Sequence, residues 1–97
     1  METELLNIIN DCEECFDRET MNEVMHFYNH GEFEMALEGF LIEMINRKKY
    51  PPNYPISYIF NLCYYYKIDK ESVFDSDIWN KLLIWKDEYY ADSSHGI

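Results

Sequence analysis

Basic residues are almost missing from the first half of this chain. Residues 1–46 hold twelve Asp or Glu and a single cation, Arg18. Glycine and proline are scarce, three of each, which disfavours an all-β domain with its many tight turns. Cysteine numbers three, an odd count that argues against a disulfide framework and for a reducing cytoplasm. The apolar runs are far shorter than the roughly 18 residues that read as a membrane span, so no membrane partner is expected. The start, Met1-Glu2-Thr3-Glu4, is acidic where a secretory signal would be basic and then apolar, which again leads us to expect a cytoplasmic protein. There is no Gly-rich phosphate loop and no G-x-S-x-G elbow, and the three histidines have no convincing nucleophile to work with. The residues therefore offer no basis for an enzyme, and no cofactor is expected.

What is present suits one helical domain. Ninety-seven residues with 47% apolar content are enough for one core, burying roughly 60–70% of the extended surface. Apolar residues recur at helical spacing in five segments. The first is about 2–15, with Leu5, Ile8, Ile9, Cys12 and Cys15/Phe16 on one stripe. The second is about 20–30, opened by the capping-box pattern Thr20-Met21-Asn22-Glu23 and closed by Gly31, where a left-handed C-cap is favoured. The third, about 32–47, carries Phe33, Leu37, Phe40, Leu41 and Met44 on one side. Met35, Gly39 and Ile42 lie on the other, so it is expected at the centre, with Gly39 marking the close approach of another helix. Tyr50-Pro51-Pro52-Asn53-Tyr54-Pro55 cannot be helical and reads as a linker. A fourth helix, about 55–67, would bury Ile56, Ile59, Phe60, Cys63 and Tyr66. A fifth, about 77–90 and capped by Asp75 or Ser76, would bury Ile78, Trp79, Leu82, Leu83 and Tyr89. The expectation is an all-α, single-domain bundle of about five helices spanning 1–97, with 91–97 a frayed tail.

The charge is segregated. Residues 47–97 balance seven acids against seven Lys or Arg, so the net −11 belongs to residues 1–46. Such a field repels nucleic acid and anionic membrane and attracts a basic partner. The plainer alternative is solubility, which evenly spread charge would serve as well. Like charges at i,i+4 spacing, Glu34/Glu38, Glu19/Glu23 and Glu13/Asp17, each weaken a helix by a few tenths of a kcal/mol. A basic partner would relieve them. Nine Tyr, six Phe and two Trp are more than one core needs. The three residues Tyr64-Tyr65-Tyr66 sit about 100° apart around a helix and cannot all face inward. Exposed tyrosines suit interface hot spots, although most are expected at the edge of the core with their hydroxyls in water.

Cys12, Cys15, His26 and His30 contain the ligand types of a tetrahedral zinc site. The pairs, however, are separated by ten residues rather than about twelve, both fall on helices, and the cysteines are in register with the apolar stripe. No metal is expected, and the cysteines read as core residues.

The string His30-Gly31-Glu32-Phe33-Glu34-Met35-Ala36-Leu37-Glu38, followed by Glu43, resembles the small MafI-like immunity proteins and related contact-dependent growth inhibition immunity proteins. Those read approximately His-Gly-Glu-x-x-x-Ala-Leu-Glu, with a further Glu about a turn later. The likeness covers about residues 20–85, and the nine-residue motif is its specific part. It implies a helical cytoplasmic protein that binds and neutralises the C-terminal domain of a secreted polymorphic toxin, in some cases an EndoU-like RNase. The proline linker and the tyrosine run have no counterpart in that pattern. Within the motif, Glu32, Glu34 and Glu38 are the expected toxin contacts, with Glu38 alternatively holding the turn after Gly31. Glu19, Glu23 and Tyr65 join them from the acidic pairs and the tyrosine run. The expected partner is thus a basic protein domain, not nucleic acid, and the chain is expected to be a monomer. Two other classes fit the composition: a helical adaptor reading a peptide through Met and Tyr, and a nucleic-acid mimic that inhibits a DNA- or RNA-binding protein.

Overall fold

A computed structural model describes the backbone of residues 1–94 and the side chains to Tyr90. Five helices follow one another: α1 (Glu2–Asp11), α2 (Arg18–Asn29), α3 (Phe33–Arg47), α4 (Ile56–Tyr65) and α5 (Ile78–Ser94). Among the described residues there is no strand, so the fold is all-α. The Cα radius of gyration, 12.8 Å, matches the ~12.5 Å of a compact domain of this length.

Helix α3 is the axis, touching α1, α2 and α5. Its stripe Leu37, Phe40, Leu41 and Met44 is fully buried. Phe33, expected at the centre, sits at the edge instead, edge-on to Tyr28 at 5.1 Å and facing Tyr66. As the first residue of α3 it lies outside the crossing. Gly39 meets Val24 of α2 at 3.8 Å from an added Cβ, so the neighbouring helix passes close by. Leu5, Ile8 and Ile9 of α1 and Cys12 just after it complete the core with Ile59, Leu62 and Cys63 of α4 and Ile78, Leu82 and Trp85 of α5.

The helix ends follow local chemistry. Helix α1 stops at Asp11 rather than 15. Asp11, Glu13 and Glu14 would crowd its negative C-terminal end, and the chain instead turns so that Phe16 packs on Phe40 at 5.4 Å. Helix α2 begins two residues earlier than expected. Its cap is Asp17, whose carboxylate accepts the Thr20 N–H at 2.8 Å, and Thr20 itself is buried. An anion suits the positive helix start better than a threonine hydroxyl. Gly31, at φ +74°, is the left-handed residue of a Schellman turn, with Glu32 N–H on Phe27 O at 2.9 Å and Gly31 N–H on Tyr28 O at 3.1 Å. Lys48 (φ +54°) and Lys67 (φ +62°) close α3 and α4 the same way without being glycine. Helix α5 runs to Ser94, past the expected end at 90, and residues 95–97 of the expected frayed tail lie outside the described residues.

The proline linker is stitched down by its tyrosines. Tyr50 donates to Pro55 O at 2.9 Å and packs on Trp85 and Tyr89. Tyr54 donates to Asp11, and Tyr58 donates to Glu4 O at 2.7 Å. These hydroxyls tie the segment to α1. Arg47, the last residue of α3, bridges Glu43 at 2.8 Å and Asp17 at 3.1 Å, pinning the end of α3 to the start of α2. No helix among the described residues is long and apolar enough to cross a membrane.

Candidate partner-binding cleft

The site grows from one carboxylate. Glu38 lies on α3 beside Leu37 and is fully buried. A buried carboxylate is costly unless its oxygens are hydrogen-bonded. Here three consecutive backbone N–H groups serve it: Val73 on Oε1 at 2.7 Å, Phe74 on Oε2 at 2.7 Å and Asp75 on Oε2 at 2.8 Å. Those amides belong to the loop between α4 and α5. Asp75 continues the device. Its side chain accepts the Asp77 N–H at 2.9 Å and the Lys81 ammonium at 2.7 Å, which starts α5 and holds the Asp75 carboxyl below its ordinary range. Glu38 is therefore a clamp and not a toxin contact, which corrects the expectation. Its alternative role as holder of the turn after Gly31 is also corrected, because the segment it holds is 73–75.

The clamp fixes the loop backbone and leaves its side chains outward. Val73 is 60% exposed and Phe74 48%. Phe74 rests on Phe27 of α2, ring centres 5.5 Å apart. On the Val73 side opens a cleft of about 520 Å³ between the start of α3, the end of α4 and the loop. Glu32, Glu34, Glu38, Tyr65 and Tyr66 line it, together with Lys67, Glu71 and Val73. Four of the six residues singled out in the sequence thus meet in one place, although Glu38 contributes from beneath. Lys67 offsets one acid, and Glu32, Glu34 and Glu71 are exposed carboxylates.

Glu19 and Glu23 lie elsewhere, on the outer face of α2. With Arg18, Asn22, His26 and Phe27 they line a shallow groove of about 740 Å³. A smaller pocket of about 240 Å³ includes Glu23, Phe27, Gly39, Glu43 and Phe74. The groove and this smaller pocket share Glu23 and Phe27, while the cleft lies on the other side of the clamped loop, with Val73 lining the cleft and Phe74 the pocket.

The acidic pairs read differently in three dimensions. Glu13 lies in the turn after α1 and Asp17 caps α2, so that pair shares no helix. Glu38 is buried and satisfied, which leaves Glu34 alone at the surface. Glu19/Glu23 remains an exposed helical pair. Sequence reasoning missed Glu71, Val73 and Phe74. The signal was an apolar dipeptide inside the otherwise polar stretch 69–77.

Tyr66 is the second unusual buried group. It is 9% exposed, and its hydroxyl is buried with no hydrogen-bond partner in the protein. Leaving a buried hydroxyl unpaired costs about 1–3 kcal/mol. Burial foremost, then the neighbouring Tyr65, Glu2, Tyr28 and Glu34, pushes its phenol up to about 12.

The cysteines and histidines do not converge. Cys12 is fully buried, where burial foremost and Cys15 nearby push its thiol up, whereas His26 and His30 are exposed and stack on each other at 4.3 Å. Among the described residues no three metal-ligating side chains are gathered. No protein-family model, curated protein or solved structure matches this chain.

Proposed function

We propose that this protein is an immunity protein: it binds a basic, nuclease-type toxin domain and neutralises it by covering the toxin's phosphate-binding surface with its own carboxylates. The observation that carries the reading is the clamped loop. It offers Val73 and Phe74 as an exposed apolar centre, and Glu32, Glu34 and Glu71 on one side and Glu19 and Glu23 on the other form an acidic rim. Apolar centre and charged rim are the anatomy of a protein–protein interface. The charge segregation supplies steering toward a basic partner. A nuclease must gather cationic groups to hold phosphates, and a rigid acidic surface competes for those groups.

The resemblance at residues 30–38 is compatible but speaks mainly to folding. Of the nine residues, Gly31 is a left-handed cap, Ala36 and Leu37 are core, and Glu38 is the clamp. Glu32 and Glu34 are the motif's exposed acids.

The test is to establish whether the neighbouring gene encodes a secreted protein with a basic C-terminal domain, and to co-express this protein with that domain. Growth should be rescued and the two chains should co-purify. Association should slow about tenfold or more between 0.01 M and 0.15 M salt, as the Debye length shortens from about 30 Å to about 8 Å. Glu34→Lys should slow association, while Lys86→Glu, in the neutral half, should matter less. Failure of both rescue and co-purification would overturn the reading. The adaptor reading has the exposed Tyr64, Tyr65, Val73 and Phe74 in its favour. It is recognised by binding that is insensitive to salt.

A further inference from the structure

The fold pulls the cysteines away from the histidines and leaves His26 and His30 as a pair. They lie one turn apart at the C-terminal end of α2, both exposed, with ring centres 4.3 Å apart. The His30 Nδ1 stands 2.7 Å from the His26 carbonyl oxygen. A carbonyl only accepts, so Nδ1 carries the proton, and the lone pair of the neutral ring sits on Nε2. This bond satisfies one carbonyl at the helix end. It also fixes tautomer and orientation, as a backbone carbonyl does for a histidine that ligates a metal. For two rings that hold one ion through nitrogens at about 2.1 Å, each ring centre stands about 3.2 Å from the ion. Centres 4.3 Å apart then subtend an angle close to about 90°, that of neighbouring ligands in square-planar or octahedral geometry. A tetrahedral ion would need centres about 5.2 Å apart. Turning the His26 ring about its Cβ–Cγ bond, a broad torsion, aims its nitrogen and leaves its centre in place. The surroundings favour a cation. The negative end of α2 lies here, and the exposed Glu19 and Glu23 share the helix stripe of the two histidines.

We propose that His26 and His30 form a two-nitrogen site for one divalent transition ion of the Ni²⁺ or Cu²⁺ type. No third ligating side chain is gathered among the described residues, so water completes the shell and the ion exchanges readily. Two imidazoles on successive turns of one helix face chelate, which is the mechanism of H-x-x-x-H spacing. Imidazole suits these ions and not Mg²⁺ or Ca²⁺, which take oxygen ligands. The spacing of the rings favours Ni²⁺ and Cu²⁺ over tetrahedral Zn²⁺. An ion that binds the helical arrangement and not the unfolded chain stabilises the end of α2. It would also place two positive charges beside the groove lined by Glu19, Glu23 and His26. The site owes nothing to the immunity reading, and either can stand without the other.

The experiment titrates Ni²⁺ into the full chain in a non-coordinating buffer. Calorimetry gives the stoichiometry and circular dichroism the melting temperature. One ion per chain is expected, with a melting temperature that rises with ion concentration and returns when chelator is added. Zn²⁺ should bind several-fold more weakly, and Mg²⁺ should give no shift. His26→Gln and His30→Gln should each weaken Ni²⁺ binding about tenfold or more, because the remaining imidazole has lost its chelate partner. In His26→Gln the His30 ring keeps its bond to the backbone carbonyl of residue 26. The melting temperature of that variant without metal should therefore equal that of the wild type, which separates a lost ligand from a damaged helix end. His95→Ala and Cys15→Ser remove the other exposed or half-buried candidate ligands of these types and should bind Ni²⁺ as the wild type does. No saturable binding, equal response to Mg²⁺, unchanged binding by His26→Gln, or loss of binding in His95→Ala or Cys15→Ser would overturn the site.

Discussion

Removing the Glu38 carboxylate should both destabilise the protein and release the loop that shapes its surface. Each hydrogen bond to a charged group contributes about 1.5–3 kcal/mol, and Glu38 accepts three from Val73, Phe74 and Asp75. The sum is not recovered in full. Val73 and Phe74 are 60% and 48% exposed, so the freed amides can reach water once the loop lifts. What remains is the loss of loop anchoring and the hole beside Leu37. For Glu38→Ala that totals about 3 kcal/mol, against an overall stability of about 5–10 kcal/mol for a domain of this size. Glu38→Gln is more informative. Its single oxygen, placed at the Oε2 position, can keep Phe74 and Asp75, while its NH₂ then faces the Val73 N–H donor to donor. A cost of about 1–2 kcal/mol follows. Urea unfolding followed by fluorescence of Trp79 and Trp85 measures both. Amide exchange should show Val73, Phe74 and Asp75 protected in the wild type and fast in Glu38→Ala. A change below about 0.5 kcal/mol for Glu38→Ala, or no protection of those amides in the wild type, would refute the clamp.

Four further outcomes follow. Gly39→Ala should stabilise by about 0.5–1 kcal/mol, since alanine favours the helix and its methyl meets Val24 at an ordinary 3.8 Å; Gly31→Ala should cost about 1 kcal/mol, because φ +74° strains any Cβ although nothing lies within 4 Å. Denaturant midpoints check both. The Asp17 carboxyl is held down to about 2, first by its hydrogen bonds to Thr20 and then by Arg47. A depressed acid stabilises above its ordinary value of 3.8 and ceases to do so as pH falls toward 2. The melting-temperature gap between wild type and Asp17→Asn should therefore be present at pH 5 and shrink from about pH 4 to 2. Burial pushes the Cys63 thiol up to about 12 and also raises that of Cys12, whereas Cys15 is only half-buried. One thiol should react promptly with a thiol reagent at pH 8 and two only after unfolding; three prompt thiols would show that the α1–α4 core opens readily.

The fold was legible because its determinants are local or periodic. Stripe spacing located all five helices, the two-sided apolar pattern placed α3 at the centre, and Gly31 marked a left-handed cap. The errors fall where a tertiary partner or a charge outranked the pattern. The stripe of α1 runs on through Cys15, yet helix stops at Asp11, because acids oppose the helix end and Phe16 has a better contact on Phe40. Asp17 displaced Thr20 as cap because its carboxylate accepts the Thr20 N–H at the positive helix start, with Arg47, thirty residues away, adding a second partner. Lys48 and Lys67 adopt conformations that glycine marks in other proteins, and nothing in the residues themselves announces it.

The site was legible in part, for a reason that bears on motifs generally. Glu32, Glu34 and Tyr65 do share a cleft, but Glu71 and Val73 reach it from a segment more than thirty residues beyond the motif. Contact between such segments is set by packing and leaves no periodic trace. Glu38 shows the converse. As a charge in an acidic stretch it reads as a surface contact, and its neighbour Leu37 reads as core. A helix apolar on two sides has little surface left for a carboxylate, so a Glu beside its stripe must either be solvated at an edge or find donors inside. The loop 73–75 supplies those donors. A glutamate that terminates a recognisable string can thus recur because a loop must be held, while recognition is done by the side chains that the held loop displays. On that argument, partner specificity in this protein should follow Glu34, Tyr65, Glu71 and Val73. Exchanging those four residues should redirect binding while Glu38 and Gly31 stay fixed.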